Sequence, residues 1–165
     1  MFFPRHVSIL NFNTLNNGLI IFLLMEEKNI EDSAEKDIVG KKVMWVEDDP
    51  ILNDIMERWL ARYNVDLVHA ANGTDALELL RKEVPDILLL DIMLPDIDGF
   101  SILERMKKDP NLKDIPVILF SNLSHQDDID KGYKLGASRF IVKSTVFLEN
   151  LAGEIRNVLR EKDRL

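Results

Sequence analysis

At 165 residues, with 46% hydrophobic and 30% charged side chains, the chain has the size and composition of one globular domain able to bury a core. A net charge of −8 and a pI near 4.9 argue against a non-specific grip on nucleic acid or anionic membrane, and favour a cation or a basic partner. The absence of cysteine excludes disulfides, thiolate catalysis and cysteine-rich zinc sites, and suits a reducing compartment, so a cytoplasmic location is expected.

Residues 1–40 show no alternation of strand-like and helix-like segments and are expected to be a poorly ordered extension ending in an acidic linker. The apolar stretch from Gly18 to Met25 is far shorter than the ~20 residues a spanning helix needs. Arg5 and His6 precede it as in a signal peptide, but Glu26-Glu27-Lys28 follows where a small-residue cleavage site would stand, and Met25 could itself be the initiator.

The domain is expected over residues 41–160, with 161–165 as a charged tail. Val43-Met44-Trp45-Val46 is a short apolar run that reads as a buried first strand, ending in Glu47-Asp48-Asp49-Pro50, where Asp49 caps a helix and Pro50 takes its first position. Leu52, Ile55, Met56, Trp59 and Leu60 recur at helical spacing to about Tyr63. Asp66 to Ala70 suits a second strand, Asn72-Gly73 a turn, and Ala76, Leu77, Leu79 and Leu80 a second helix.

Ile87 to Leu90 is apolar without alternation, as a strand covered on both faces requires. Asp91 stands at its carboxyl end, where open α/β sheets place ligands, and Asp96 and Asp98 read as turn residues in the loop that follows. Phe100, Leu103 and Met106 mark a third helix stopped before Pro110. Ile115 to Phe120 is a fourth strand ending at Ser121; Ser124 is expected to cap a fourth helix reaching about Leu135, with Gly136 as its left-handed terminator. Gly132 lies inside that helix and should make it the weakest, by about 1 kcal/mol relative to alanine. Arg139 to Val142 is a fifth strand ending at Lys143, and a stripe from Leu148 to Leu159 makes the last helix, starting near Val146.

Five strand and helix alternations with short connections predict a doubly wound α/β fold, a parallel sheet with helices on both faces. Glu47, Asp48 and Asp91 then collect at one sheet edge with Ser121 and Lys143. Three carboxylates in an exposed crevice repel one another, and Mg²⁺, a hard cation bound through oxygen, relieves that repulsion. A carboxylate beside such an ion can attack phosphorus, while a lysine and a hydroxyl orient the transferred oxygens.

The four segments Val46-Glu47-Asp48-Asp49-Pro50, Leu90-Asp91-Ile92-Met93-Leu94-Pro95-Asp96-Ile97-Asp98-Gly99, Pro116-Val117-Ile118-Leu119-Phe120-Ser121 and Gly136-Ala137-Ser138-Arg139-Phe140-Ile141-Val142-Lys143 resemble the receiver domain of two-component response regulators, in the same order, over about Lys41 to Leu159. The resemblance implies a flavodoxin-like (βα)5 fold with strand order 2-1-3-4-5. It implies Asp91 as phospho-acceptor; Glu47, Asp48 and Asp91 with the Met93 carbonyl as the Mg²⁺ site; Ser121 and Lys143 on the phosphoryl group; and Phe140 as an aromatic switch. Two positions depart from the usual pattern: Lys143 is followed by Ser144 rather than proline, and Ser121 by Asn122 rather than a small residue.

The expected function is therefore phosphorelay signalling by a stand-alone receiver, phosphorylated by a histidine kinase or phosphotransfer protein and switching a protein-binding face. Such a domain is a phospho-acceptor rather than an enzyme, apart from self-catalysed transfer and slow autodephosphorylation. Its expected partners are the kinase, a downstream protein target and, on phosphorylation, a second copy; nucleic acid and membrane are not among them. A phosphatase using Asp91 as nucleophile would want a second acid two residues on, where Met93 stands. A pseudo-receiver that binds without phosphorylation is the alternative, and the intact acids weigh against it. Taken singly, each site residue also has a bland reading: Asp91 as a cap, Asp49 as a cap, Lys143 as a solvated lysine and Phe140 as a core aromatic. His6, His69 and His125 share no motif and read as surface or structural residues.

Overall fold

A computed structural model describes residues 38–164 of the chain; the expectation for residues 1–37 concerns residues outside that range. Five strands, β1 (Lys42–Val46), β2 (Asp66–Ala70), β3 (Ile87–Leu90), β4 (Val117–Ser121) and β5 (Arg139–Val142), alternate with α1 (Pro50–Ala61), α2 (Gly73–Lys82), α3 (Gly99–Lys108), α4 (Gln126–Lys134) and α5 (Leu148–Lys162). The strands form one parallel sheet in the order β2-β1-β3-β4-β5, as expected.

Side chains on alternate faces of a strand explain why both faces are covered. Met44, Val46, Leu88, Leu90, Val117 and Leu119 pack with Ala76 and Leu80 of α2 and Ile102, Leu103 and Met106 of α3. Val43, Trp45, Ile87, Leu89, Ile118 and Phe120 pack with Met56, Trp59 and Leu60 of α1 and Leu151, Ile155, Val158 and Leu159 of α5. Ile38 is only 1% exposed and joins this second cluster, so a residue assigned by sequence to the extension is part of the core. Burying a side chain of that size is worth roughly 1.5–3 kcal/mol.

The helix ends follow from local chemistry. Asp49 accepts from the amides of Ile51 and Leu52, with Pro50 opening α1. Asn72 caps α2 and Asp98 caps α3. Ser124 does not cap α4. His125 occupies that position without a side-chain hydrogen bond, because the helix starts only at Gln126 and Ser124 lies outside its first turn. Gly136, at φ +96°, ends the α4 segment in the left-handed region as predicted. β4 begins two residues later than expected, at Val117, since Pro116 has no amide hydrogen to donate to the sheet. Past β5, Lys143–Thr145 forms a single 3-10 turn, and α5 begins at Leu148 rather than near Val146.

Candidate functional site

The parallel arrangement brings the carboxyl ends of β1, β3, β4 and β5 to one sheet edge, and register decides which residues meet there. Val46 lies opposite Leu90 and Leu90 opposite Leu119, so Glu47 and Asp91, each one residue past its strand, emerge side by side. The amide of Asp91 donates to the Val46 carbonyl at 3.0 Å and that of Glu47 to the Ala70 carbonyl at 3.1 Å, which extends the sheet ladder up to the acids themselves. Side-chain oxygens of Glu47, Asp48 and Asp91 lie within 4.8 Å of one another.

Glu47 (2% exposed) and Asp91 (4% exposed) are buried. They are bridged by Lys143, whose ammonium donates to Glu47 Oε2 at 2.5 Å and to Asp91 Oδ2 at 2.7 Å with a side chain only 10% exposed. The other Asp91 oxygen, Oδ1, accepts from the backbone amides of Ile92 (2.6 Å) and Met93 (3.1 Å). Burial pushes the Glu47 carboxyl up to about 7; the nearby Lys143 charge opposes that shift and the Asp91 charge adds to it. Asp48 differs from both: it is exposed, and no group among the described residues holds its carboxylate.

Ser121, at the end of β4, is fully buried, and its hydroxyl has no hydrogen-bond partner among the described residues. An orphaned buried hydroxyl costs free energy unless something else uses it, and an oxygen-rich anion arriving at this edge would. Beneath the site the ring of Phe120 lies 5.9 Å from the Lys143 ammonium and packs at 5.7 Å on Trp45. Met93 follows the acid cluster with an exposed side chain.

The loop from Asp91 to Gly99 is folded tightly back. Gly99 donates its amide to the Ile92 carbonyl, and a Cβ at Gly99 would collide with the Asp91 carbonyl, so only glycine fits. Asp96, expected to be a simple turn residue, does more. Its carboxylate accepts from the amides of Gly73, Thr74 and Ile97 and from the Thr74 hydroxyl, which ties the loop to the first turn of α2. These hydrogen bonds, that of Thr74 foremost, hold the Asp96 carboxyl well below the usual carboxylate range. No local signal announces the clamp, because its partners in α2 lie more than twenty residues away.

Phe140 does not join the acid cluster. It sits on β5 within the same sheet, opposite Leu119, half-buried and against Gly132 of α4. A Cβ at Gly132 would lie 2.7 Å from Leu119 Cδ1 and 2.9 Å from Phe140 Cδ2, so the glycine that weakens α4 is also what lets the helix reach the strand. Tyr133 places its hydroxyl 3.3 Å from the Phe140 amide, which donates to it.

The three acids fit a hard divalent cation, since all offer oxygen and one of them is unpaired and open to solvent. Such an ion would be held by Glu47, Asp48 and Asp91 and would supply positive charge for binding an anion. Among the described residues no helix is long and apolar enough to cross a membrane.

Comparison with known proteins identifies the family and the fold. The family model described as the response regulator receiver domain matches residues 43–155. The DNA-binding dual master transcriptional regulator RpaA of Synechocystis is 30% identical over 75% of this chain and 50% of its own length. The chain thus spans about half the length of the curated relatives it matches. Among solved structures, the BeF3-activated N-terminal receiver domain of Klebsiella pneumoniae RstA is similar at a TM-score of 0.66 and 31% identity, covering 72% of this chain and 98% of that one. The Mn²⁺-bound form of response regulator Rcp1 is similar at a TM-score of 0.62 and 26% identity, covering 72% and 91%. The (βα)5 fold, the strand order and the family match together establish that the chain belongs to the receiver domains of two-component response regulators.

Proposed function

We propose that this receiver takes a phosphoryl group from a histidine kinase or phosphotransfer protein onto Asp91, with Mg²⁺ held by Glu47, Asp48, Asp91 and the Met93 carbonyl. The observation that carries the reading is the meeting of three carboxylates at the strand ends, two of them, Glu47 and the buried Asp91, bridged by a single lysine. In the transfer, the phosphorus–nitrogen bond of the donor histidine breaks and a phosphorus–oxygen bond forms on Asp91, the bonding electron pair leaving with the imidazole nitrogen. The amides of Ile92 and Met93 orient the attacking carboxylate by fixing Oδ1. Lys143 is placed to follow the negative charge onto the phosphoryl oxygens, and the unpartnered Ser121 hydroxyl can donate to one of them. The bound metal supplies the remaining charge neutralisation.

On this reading the phosphoryl group, with roughly −1.5 to −2 charge, is sensed through Ser121 and Phe140. Drawing Ser121 toward it frees space beside β4, and Phe140 and α4 respond as a two-state shift. The domain then acts in the cytoplasm through protein contacts on the face of α4, β5 and α5, including a second copy. RpaA is a DNA-binding regulator of which the match spans half, and no contact with nucleic acid is assigned to the receiver residues described here. Incubation of the protein with acetyl phosphate and Mg²⁺, followed by intact mass, tests the proposal. One added phosphoryl group is expected on the wild type and none on Asp91→Asn, with the fold retained; labelling of the Asp91→Asn variant at the wild-type rate, or an unlabelled wild type, overturns it.

A further inference from the structure

Of the three acids at the sheet edge, Glu47 and Asp91 are fixed by Lys143 and by backbone amides, whereas the Asp48 carboxylate has no partner among the described residues. Where Asp48 points is therefore inherited from its backbone, and above all from the peptide unit joining it to Glu47. That peptide has one side-chain partner among the described residues: His69, next to last in β2, whose Nε2 lies 3.0 Å from the Glu47 carbonyl oxygen. A carbonyl oxygen can only accept, so Nε2 carries the hydrogen, and the same bond exists in the neutral Nε2–H tautomer and in the imidazolium. His69 lies opposite Trp45 in the β1–β2 register and is partly buried, which places its ring on the sheet face that Trp45 occupies and against the turn leaving β1.

We propose that His69 is a positioning residue for the metal site, holding the Glu47–Asp48 peptide so that the Asp48 carboxylate is presented to Mg²⁺ before the ion arrives. The inference rests on the metal reading given above and adds a residue outside the ligand set. Groups that orient metal ligands through hydrogen bonds typically change metal affinity 10–100-fold when removed. One neutral bond to a backbone carbonyl belongs at the lower end of that range, so about a tenfold loss is expected.

The test compares the full chain, wild type, with His69→Leu, which keeps bulk and removes the donor, and His69→Gln, whose amide nitrogen reaches to about the place of Nε2. Mg²⁺ affinity is read by calorimetric titration, and the metal-free thermal midpoint is measured in EDTA. The expected result is a roughly tenfold weaker Mg²⁺ affinity for His69→Leu, recovery of most of it in His69→Gln, and a metal-free midpoint for His69→Gln close to that of the wild type. Unchanged affinity in His69→Leu, or an equal loss in both variants, overturns the assignment while leaving the metal site intact. A wild type that binds no Mg²⁺ overturns the metal reading and the role of His69 with it. Should His69→Leu fail to fold, His69→Asn, whose shorter amide does not reach the place of Nε2, replaces it: roughly tenfold weaker affinity there with recovery in His69→Gln supports the assignment, and unchanged affinity overturns it.

Discussion

The carboxyl-terminal edge of β1 and β3 and the seat of α4 on β5 belong to one domain but are held in opposite ways. At the first, Glu47 and Asp91 are buried and bridged by Lys143, and Asp91 is held further by two backbone amides of the loop that follows β3. At the second, α4 lacks a side-chain N-cap, buries only Gly132, and meets a strand whose four residues are all half-buried. Local stability follows buried contacts and paired polar groups, so on the function proposed above the chemistry falls on the rigid region and the readout on the yielding one. An acceptor site must hold reacting atoms to a fraction of an ångström, whereas a switch needs two arrangements of similar free energy.

The largest effect should come from emptying the rigid side of its cation. Replacing Lys143 with Met leaves two buried carboxylates uncompensated, which costs about 3–5 kcal/mol when a buried pair is broken. The sign of the pH dependence follows from Glu47, whose folded value of about 7 lies above its ordinary 4.5. The folded protein keeps a proton that the unfolded chain releases, so metal-free stability declines as pH rises through that window. Urea unfolding of Lys143→Met should accordingly show its full loss at about pH 8 and a smaller one at about pH 5.5; equal losses at the two values would break the link between this region and buried charge.

Next in size is the metal. Mg²⁺ binding only to the folded state should add about 2.7 kcal/mol at a hundredfold excess over Kd, and Asp48→Ala should erase that gain. Thermal midpoints equally indifferent to Mg²⁺ in both proteins would remove the ion from the rigid region.

Gly132→Ala sharpens the comparison from the other side. Alanine improves helix propensity by about 1 kcal/mol, but its methyl would collide with Leu119 and Phe140, and overpacking costs about 1–3 kcal/mol. A net loss of about 1 kcal/mol is expected, with the rate of acetyl phosphate labelling unchanged, because the acceptor site is not touched. A labelling rate that falls in step with stability would show that the two regions are not separable. The smallest effect expected is that of Asp96→Ala, a drop in thermal midpoint from losing the clamp on α2. Because the Asp96 carboxyl titrates below its ordinary range in the folded state, its contribution is present above that range and fades on acidification. Wild type and variant should therefore converge as pH falls below about 4.

Much of this was legible in the sequence because the signals are local. Ile87 to Leu90, apolar on both strand faces and followed by aspartate, defines a covered strand and where it ends without any tertiary information. Asp49-Pro50 opens a helix and Gly136 closes one for equally local reasons. The clamp made by Asp96, the contact of His69 with the Glu47 carbonyl and the collision that a side chain at Gly132 would meet are different, since each joins residues distant in the chain. Propensity presents Gly132 as a weakness of α4; packing shows that it is also a fitted contact.

By itself the sequence determined the alternation of strands and helices, the doubly wound class and the identity of the residues that end the strands, since apolar periodicity and turn chemistry are properties of short segments. The tertiary structure alone decided which strand ends become neighbours at bonding distance, that one lysine serves two acids, that the Ser121 hydroxyl is left without a partner among the described residues, and that the core takes in Ile38. Those facts depend on sheet register and on close packing between distant segments, and no short segment contains either.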